Sequence, residues 1–454
     1  MKRSRLYLLT LSCLIFVLLM MLAPVAPRAQ AAGERDGAAS GLLYLPYVAH
    51  DASARQGEMI LVSVASDGIL GDDRSSDVSL SASGRFVAFA SAATNLVGGD
   101  SNGWSDIFVH DMQNGETSRV SVAGDGTQGD GDSWSPAISA DGRFVAFASS
   151  ATNLVDGDTN DAPDIFVHDR QTGEIAMVSV AGDGTQGNLD SLQPAISANG
   201  SLVAFYSWAD NLVPADGNGT VLDIFVHDRQ TKETMLVSVA SDGTQGNGNS
   251  ISPAISADGR FVAFESEATN LLGDPVNDEN VVSDIFVHDR LSGETTRVSV
   301  SGNGSESNGP SYSPAISADG RFVAFESPAG NLVDGDTNGT YDVFVHDRQM
   351  GETTMVSMAG DGAQGNLDSL QPAISADGRF VAYYIFENAV FLHDRQTGTT
   401  TPVSKTAQGT LVDGSFPAIS GDGHLVAFES DAGNLVEGDT NNEQDIFVYD
   451  RLPE

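Results

Sequence analysis

The chain has 454 residues, 41% of them hydrophobic, with 22 Lys+Arg against 62 Asp+Glu and a formal net charge of −40. So acidic a surface repels phosphate backbones and anionic lipid, which disfavours nucleic-acid and membrane-surface partners and leaves cationic, metal-ion and neutral-glycan partners open. The apolar residues fall in regular clusters, unlike those of an acidic disordered chain.

Residues 1–31 read as an export signal. Lys2, Arg3 and Arg5 form a basic start, the run from Leu6 to Ala23 is almost wholly apolar, and Ala29-Gln30-Ala31 is a small-x-small cleavage site. An uncleaved anchor is the alternative, because the run approaches the length that spans a bilayer. With the signal removed, no membrane span is expected, and the chain is placed outside the cytoplasm: secreted, periplasmic or at the cell surface. Cys13 is the single cysteine and lies in this segment. The mature chain is therefore expected to carry no disulfide, thiolate metal site or cysteine nucleophile. Residues 32–56 read as an Ala/Gly/Ser-rich tether, within which Leu42–Val48 is an apolar stretch of no assigned role.

From residue 57 onward a single unit repeats. The phrase PAISADGRFVAF at Pro136 returns at Pro194, Pro253, Pro314, Pro372 and Pro417, with a looser copy from Ser79. The valine of each VAF/VAY (Val87, Val145, Val203, Val262, Val323, Val381, Val426) marks seven copies spaced by 58, 58, 59, 61, 58 and 45 residues. The short last step reflects a loop missing from the sixth copy. A fixed period of this size decides the architecture.

Each unit reads as four short strands: AIS, then RFVAF, then DIFVHD, then TTRVSV, rich in Val, Ile, Phe and Thr between Gly, Asp and Asn punctuation. Asp141-Gly142 and its copies predict a tight hairpin between the first two strands, and Arg170–Gly173 another between the last two. The second strand is apolar on both faces, so it must be covered on both, as in blades packed around an axis. The last copy ends after its third strand. Leu61–Gly68 is identical to Leu236–Gly243, a fourth strand and its loop. The front of the domain is thus expected to supply the last blade's missing strand and remove two exposed edges. The expected fold is all-β: a seven-bladed propeller of four-stranded blades over residues 57–454.

The run S-x-DG-x-[apolar]-VAF, followed by DIFV-x-D and a Thr-rich strand, resembles the TolB-like, WD-repeat-like β-propeller family. The resemblance covers about residues 57–454. It implies an exported propeller used for recognition. The N-terminal α/β domain of TolB itself has no counterpart here.

The loop between the second and third strands carries the sharpest candidate site. Asp158, Asn160 and Asp164 are matched by Asp100, Asn102 and Asp106, by Asp336, Asn338 and Asp342, and by Asp439, Asn441 and Asp445. Looser forms are Asp216, Asn218 and Asp223, and Asp274, Asn277 and Asp284. Oxygen ligands at positions 1, 3 and 7 of a tight loop suit calcium, although the pattern is not an EF-hand. The competing reading is turn chemistry, in which Asp and Asn hold local backbone N–H groups.

Six histidines (His110, His168, His227, His288, His346, His393) occupy one repeated position before an Asp, with Tyr449 in the seventh copy. A catalytic group is needed once, so these read as hydrogen-bonded structural groups, with the adjacent Asp as a candidate partner. Arg85, Arg143, Arg260, Arg321 and Arg379 are expected to pair with nearby acids. Of the unrepeated aromatics Trp104, Trp134, Trp208, Tyr206, Tyr312, Tyr341, Tyr383 and Tyr384, several fall on or beside loops of one face, as ligand-stacking groups or as packing under loops. No cluster of unrepeated acids or bases is evident for the central channel. The expectation is a monomeric binding propeller that recognises a protein or polysaccharide through its acidic loop face. Its rivals are a glycan-active enzyme (a polysaccharide lyase or glycoside hydrolase) and a calcium-stiffened surface module.

Overall fold

The structure is a computed structural model. It describes residues 57–451 except 215, 274–279, 281 and 359–362. The expected signal, the tether with Leu42–Val48, and the loop residues Asp274 and Asn277 lie outside the described residues.

Seven antiparallel four-stranded sheets follow one another as blades 1 to 7. Blade 2 consists of Ser133–Ile138, Phe144–Ser149, Asp164–Asp169 and Ile175–Met177, an inner, second, third and outer strand in chain order. The other inner strands are Ser75–Leu80, Ser191–Ile196, Ser250–Ile255, Tyr312–Ile316, Ser369–Ile374 and Ser415–Ile419. Each contacts the next, and that of blade 7 contacts that of blade 1. Among the described residues there is no helix long and apolar enough to cross a membrane.

Blade 7 is completed by Glu58–Leu61. This strand pairs antiparallel with Asp445–Asp450 in the register Glu58↔Asp450, Met59↔Tyr449, Ile60↔Val448 and Leu61↔Phe447. The expected closure is therefore present. The outer strands are shorter than the sequence pattern suggests, at three or four residues such as Glu116–Arg119. The following Val-Ser-Val leaves the sheet, because its serine hydroxyl is captured by the first residue of the third strand: Ser179 Oγ donates to Asp164 Oδ1 at 2.5 Å.

Every inner strand bulges before its Ala-Ile pair (Ser79-Leu80 in blade 1), and one residue there takes a positive φ of 48–56° (Asp77, Ser135, Gln193, Ser252, Ser313, Gln371, Phe416). In six blades proline follows, which an edge strand tolerates because its missing N–H faces no ladder partner.

The core repeats with the blades. Within each, an aromatic of the second strand stacks on one of the third, as with Phe147 and Phe166 at 6.0 Å. Such pairs add about 0.5–1.5 kcal/mol beyond area burial. Two circles of contacts join blade to blade. In the first, the hairpin alanines hydrogen-bond through their backbones: Ala82 N–H to Ala140 O, then Ala198, Ala257, Ala318, Ala376 and Gly421, whose N–H returns to Ala82 O at 2.8 Å.

In the second circle, each hairpin glycine lies on the side chain that opens the preceding blade's second strand. A Cβ at Gly142 would stand 2.0 Å from Phe86 Cδ2, and one at Gly320 2.1 Å from Phe261 Cδ2. Phe86 is in turn held between Arg85 of its own blade (4.7 Å) and Arg170 of the next (4.5 Å), a cation–π sandwich that recurs at Phe144, Phe261, Phe322 and Phe380.

These contacts set one test. Gly351 and Gly320 have φ of +70° and +72°, but a Cβ at Gly351 meets nothing within 4 Å. Gly351→Ala should cost about 1 kcal/mol from backbone strain alone. Gly320→Ala should cost roughly 1–3 kcal/mol more, because the added methyl overpacks the blade junction. Urea denaturation of the two variants measures the difference, and equal costs would remove the blade-to-blade contact.

Candidate functional site

The repeated polar residues are spent inside the ring. Arg85, Arg143, Arg260, Arg321 and Arg379 each grip the last Asp of their blade's third strand through two nitrogens, as Arg143 does Asp169 at 2.9 and 2.7 Å. The Arg143 hydrogen bond holds Asp169 down to about 2, and that of Arg379 does the same for Asp394.

The histidines do not bond to the adjacent Asp. His110 Nδ1 meets Thr117 Oγ1 of the outer strand at 2.9 Å, and that hydroxyl donates to Val64 O of the preceding blade junction. Because the threonine proton goes to the carbonyl, Nδ1 is the donor to the hydroxyl oxygen. The same geometry recurs at His227, His288, His346 and His393. His168 faces Ile175 instead, and its Nδ1 has no partner. Burial lowers His110 and His227 to about 4, so both are neutral links at physiological pH.

The Asp-Asn-Asp loops are organised by protein donors. Asn160 Nδ2 donates to Asp164 Oδ2 (3.1 Å) and to Gly187 O (2.8 Å), and its Oδ1 accepts from Ala162 N–H (3.0 Å). Asn102 bridges to Asp106 and Gly129 O, Asn338 to Asp342 and Gly365 O, and Asn441 to Asp445 and Gly71 O. A further donor spans the two carboxylates in most blades. Gln186 Nε2 lies 2.7 Å from both Asp158 Oδ1 and Asp164 Oδ2. Gln364 does the same for Asp336 and Asp342, and Arg119 Nη1 for Asp100 and Asp106. Turn chemistry thus accounts for these bonds. Among the described residues, no three His, Cys, Asp or Glu side chains gather at one point.

Several departures from the repeat gather on one face, that of the second-to-third-strand loops and blade connectors. The fifth residue of each second strand is Ala90, Ala148, Tyr206, Glu265, Glu326, Tyr384 or Glu429. The sequence reading passed over these glutamates, and with them Asp77. Glu265 accepts from Ser283 Oγ at 3.1 Å and from the bulge N–H of Ser313. Glu326 accepts from the bulge N–H of Gln371 and the Ser313 hydroxyl. Glu429 accepts from the bulge N–H of Asp77 at 2.6 Å and from Gln444, and Asp77 in turn accepts from Ser135 N–H at 3.0 Å. Each acid therefore holds the strained bulge of the next blade.

Burial pushes Glu265 up to about 8 and Glu326 to about 7, and Glu429 rises as well. Over the first two lie Tyr312 and Tyr341, stacked at 6.2 Å, with burial raising Tyr341 to about 12. Tyr341 N–H donates to Asp368 Oδ1 at 3.0 Å, and Phe386 N–H donates to Asp368 O at 2.9 Å. Beyond Phe386, Tyr384 packs on Phe416 of blade 7 at 6.0 Å.

An acid–aromatic arc thus runs from Glu265 in blade 4 to Phe416 in blade 7. Phe386 and Phe416 are 51% and 45% exposed, and Leu367 and Leu411 of the connectors before blades 6 and 7 are exposed as well. The loop missing from the sixth copy is what uncovers them, since Tyr384 and Val390 there belong to a tight hairpin. Of the other unrepeated aromatics, Trp104 is exposed, Trp134 and Trp208 are half-buried, and Tyr206 and Tyr383 are packed inside.

The fold defines the chain as a seven-bladed β-propeller, the architecture implied by the repeat. No family model and no curated protein matches it. Solved structures do. The oligogalacturonate lyase of Vibrio parahaemolyticus aligns at a TM-score of 0.53 and 12% identity, over 88% of this chain and 99% of that one. Acylaminoacyl peptidase of Pyrococcus horikoshii aligns at 0.50 and 14%, over 83% of this chain and 51% of that one. TolB of Acinetobacter baumannii aligns at 0.41 and 18%, over 77% of this chain and 68% of that one. At such identities the likeness is one of fold.

The buried glutamates set a pH dependence. Their folded-state values lie above the ordinary glutamate range, so between about pH 5 and 8 these two side chains hold protons that the unfolded chain has lost, while below about pH 6.5 the buried neutral histidines act in the opposite sense. Stability should fall as pH rises from about 6.5 to 8, where the histidines are largely neutral in both states. The Arg-held aspartates act oppositely, and their contribution is lost as pH falls from about 4 towards 2. Thermal melts from about pH 6.5 to 8 should show a declining Tm that Glu265→Gln and Glu326→Gln flatten. A Tm that stays level in the wild type would contradict this account of the acids.

Proposed function

We propose that this chain is an extracytoplasmic recognition propeller that grips a basic, partly apolar segment of a protein partner along the arc from Glu265 to Phe416. The observation that carries the reading is the gathering of buried glutamates, stacked tyrosines and exposed phenylalanines that depart from the repeat along one arc of one face, while the repeated His, Arg and Asp side chains serve the ring. Loops on a rigid scaffold are the usual seat of recognition.

The chemistry selects the ligand class. Exposed Phe386 and Phe416 offer apolar area and aromatic faces, Asp368 and Glu387 lie beside Phe386, and Glu267 lies near Tyr312 at the other end of the arc. Lys and Arg satisfy both features through ion pairing and cation–π contact. The net charge of −40 steers cations towards the molecule and opposes polyanions such as oligogalacturonate. The basic, apolar start of the chain and the TolB-like repeat support a place outside the cytoplasm.

Fluorescence anisotropy against a library of Lys/Arg-rich peptides, with a neutral-glycan array in parallel, tests the proposal. Basic peptides carrying an aromatic or leucine should bind, more weakly at high salt. The double variant Phe386→Ala/Phe416→Ala should reduce affinity by about tenfold or more. Binding confined to glycans, or peptide binding unchanged in the double variant, would overturn it.

A further inference from the structure

We propose that blade 7 binds a calcium ion between Asp439 and Asp445, at the junction where the N-terminal strand closes the ring. The other blades serve as internal controls. In blades 1, 2, 3 and 5 the same two loop carboxylates share a protein donor: Arg119 in blade 1, and Gln186, Gln245 and Gln364 in the others, at 2.6–3.2 Å. In blade 4, Arg297 reaches Asp284 at 3.3 Å.

Blade 7 has neither device. The glutamine position, Gln128 in the bridge Val122↔Gln128, becomes Leu70 in the bridge Val64↔Leu70. The arginine position, Arg119 opposite Phe108, becomes Leu61 opposite Phe447. Both replacements come from the strand and connector that the front of the domain lends to this blade.

The consequence is visible at the carboxylates. Asp445 accepts from Ser63 Oγ at 2.6 Å and from Asn441 Nδ2 at 2.9 Å. Asp439 is 9% exposed, and its Oδ1 is buried without a hydrogen-bond partner. It lies near enough for its charge to oppose ionisation of Asp445. Asp336 Oδ2 is likewise without a partner, but Gln364 already joins that pair.

Two adjacent buried carboxylates without a bridging donor call for a cation, and all-oxygen surroundings suit calcium. With only two carboxylates to offer, the loop leaves water to complete the six to eight ligands, which places affinity at about 10⁻⁴–10⁻³ M, the range of extracellular modules. The site is independent of the recognition arc, and either can fail alone.

Differential scanning fluorimetry with calcium chloride at millimolar levels is the test. The wild-type Tm should rise by roughly 2 °C, reversibly with EDTA. Leu70→Gln should abolish the rise, because it supplies the amide that blades 2, 3 and 5 use, and its Tm without calcium should be no lower than that of the wild type. Asp439→Asn should also lose the response, and Asp158→Asn should keep it. No rise in the wild type, or a rise of wild-type size in both Leu70→Gln and Asp439→Asn, would overturn the proposal.

Discussion

Seven backbone N–H groups donate in a circle, from Ala82 through Ala140, Ala198, Ala257, Ala318, Ala376 and Gly421 back to Ala82. The rest of the molecule follows from this closed ring. A residue on that circle must be small, which accounts for alanine or glycine in every copy. The neighbouring glycine must be glycine for two reasons at once: its φ is positive, and the preceding blade's Phe or Leu occupies the place of a Cβ. With the hairpins fixed at the axis, the Phe–Phe stacks, the Arg–Asp clamps and the His–Thr links recur further out, with substitutions in individual blades.

That repetition separates structure from recognition. A ring of near-identical blades consumes near-identical polar groups, so a residue present in every blade belongs to the scaffold. Asymmetry is where a ligand can be told apart from solvent. Here it lies in the acids Glu265 and Glu326, the tyrosines above them, and the aromatic notch left by the short hairpin of blade 6. The junction of blades 7 and 1 is asymmetric for another reason. There the chain's front end replaces a regular outer strand, Leu70 stands for glutamine, and Leu425 and Met112 stand for a Phe and an Arg.

The architecture was legible because each blade repeats the same physical demand, so even the closing strand could be located by its identity to another copy. The outer strand was read too long because Val-Ser-Val has high β propensity. The serine hydroxyl's bond to the third strand's first Asp wins over that propensity and draws the segment out of the sheet. The histidine partner was misplaced for a related reason: side chains adjacent in a strand point to opposite faces, so His110 reaches across to Thr117 and not to Asp111. The buried glutamates were missed because one substitution in VAF-x-S looks like surface variation. The available signal was the register, which sets Glu265 opposite Ile251 and Glu326 opposite Tyr312 of the inner strand, beside the bulge.

The central claim is that the ring is closed by pairing of residues 58–61 with the final strand. Met59 and Tyr449 face each other there. A chain with Cys13→Ser, Met59→Cys and Tyr449→Cys tests it directly, because cross-strand neighbours lie within disulfide reach. The account predicts a rapid intrachain disulfide on mild oxidation, with loss of both free thiols, faster gel migration and a raised Tm. Persistent free thiols, or dimers linked between chains, would contradict it.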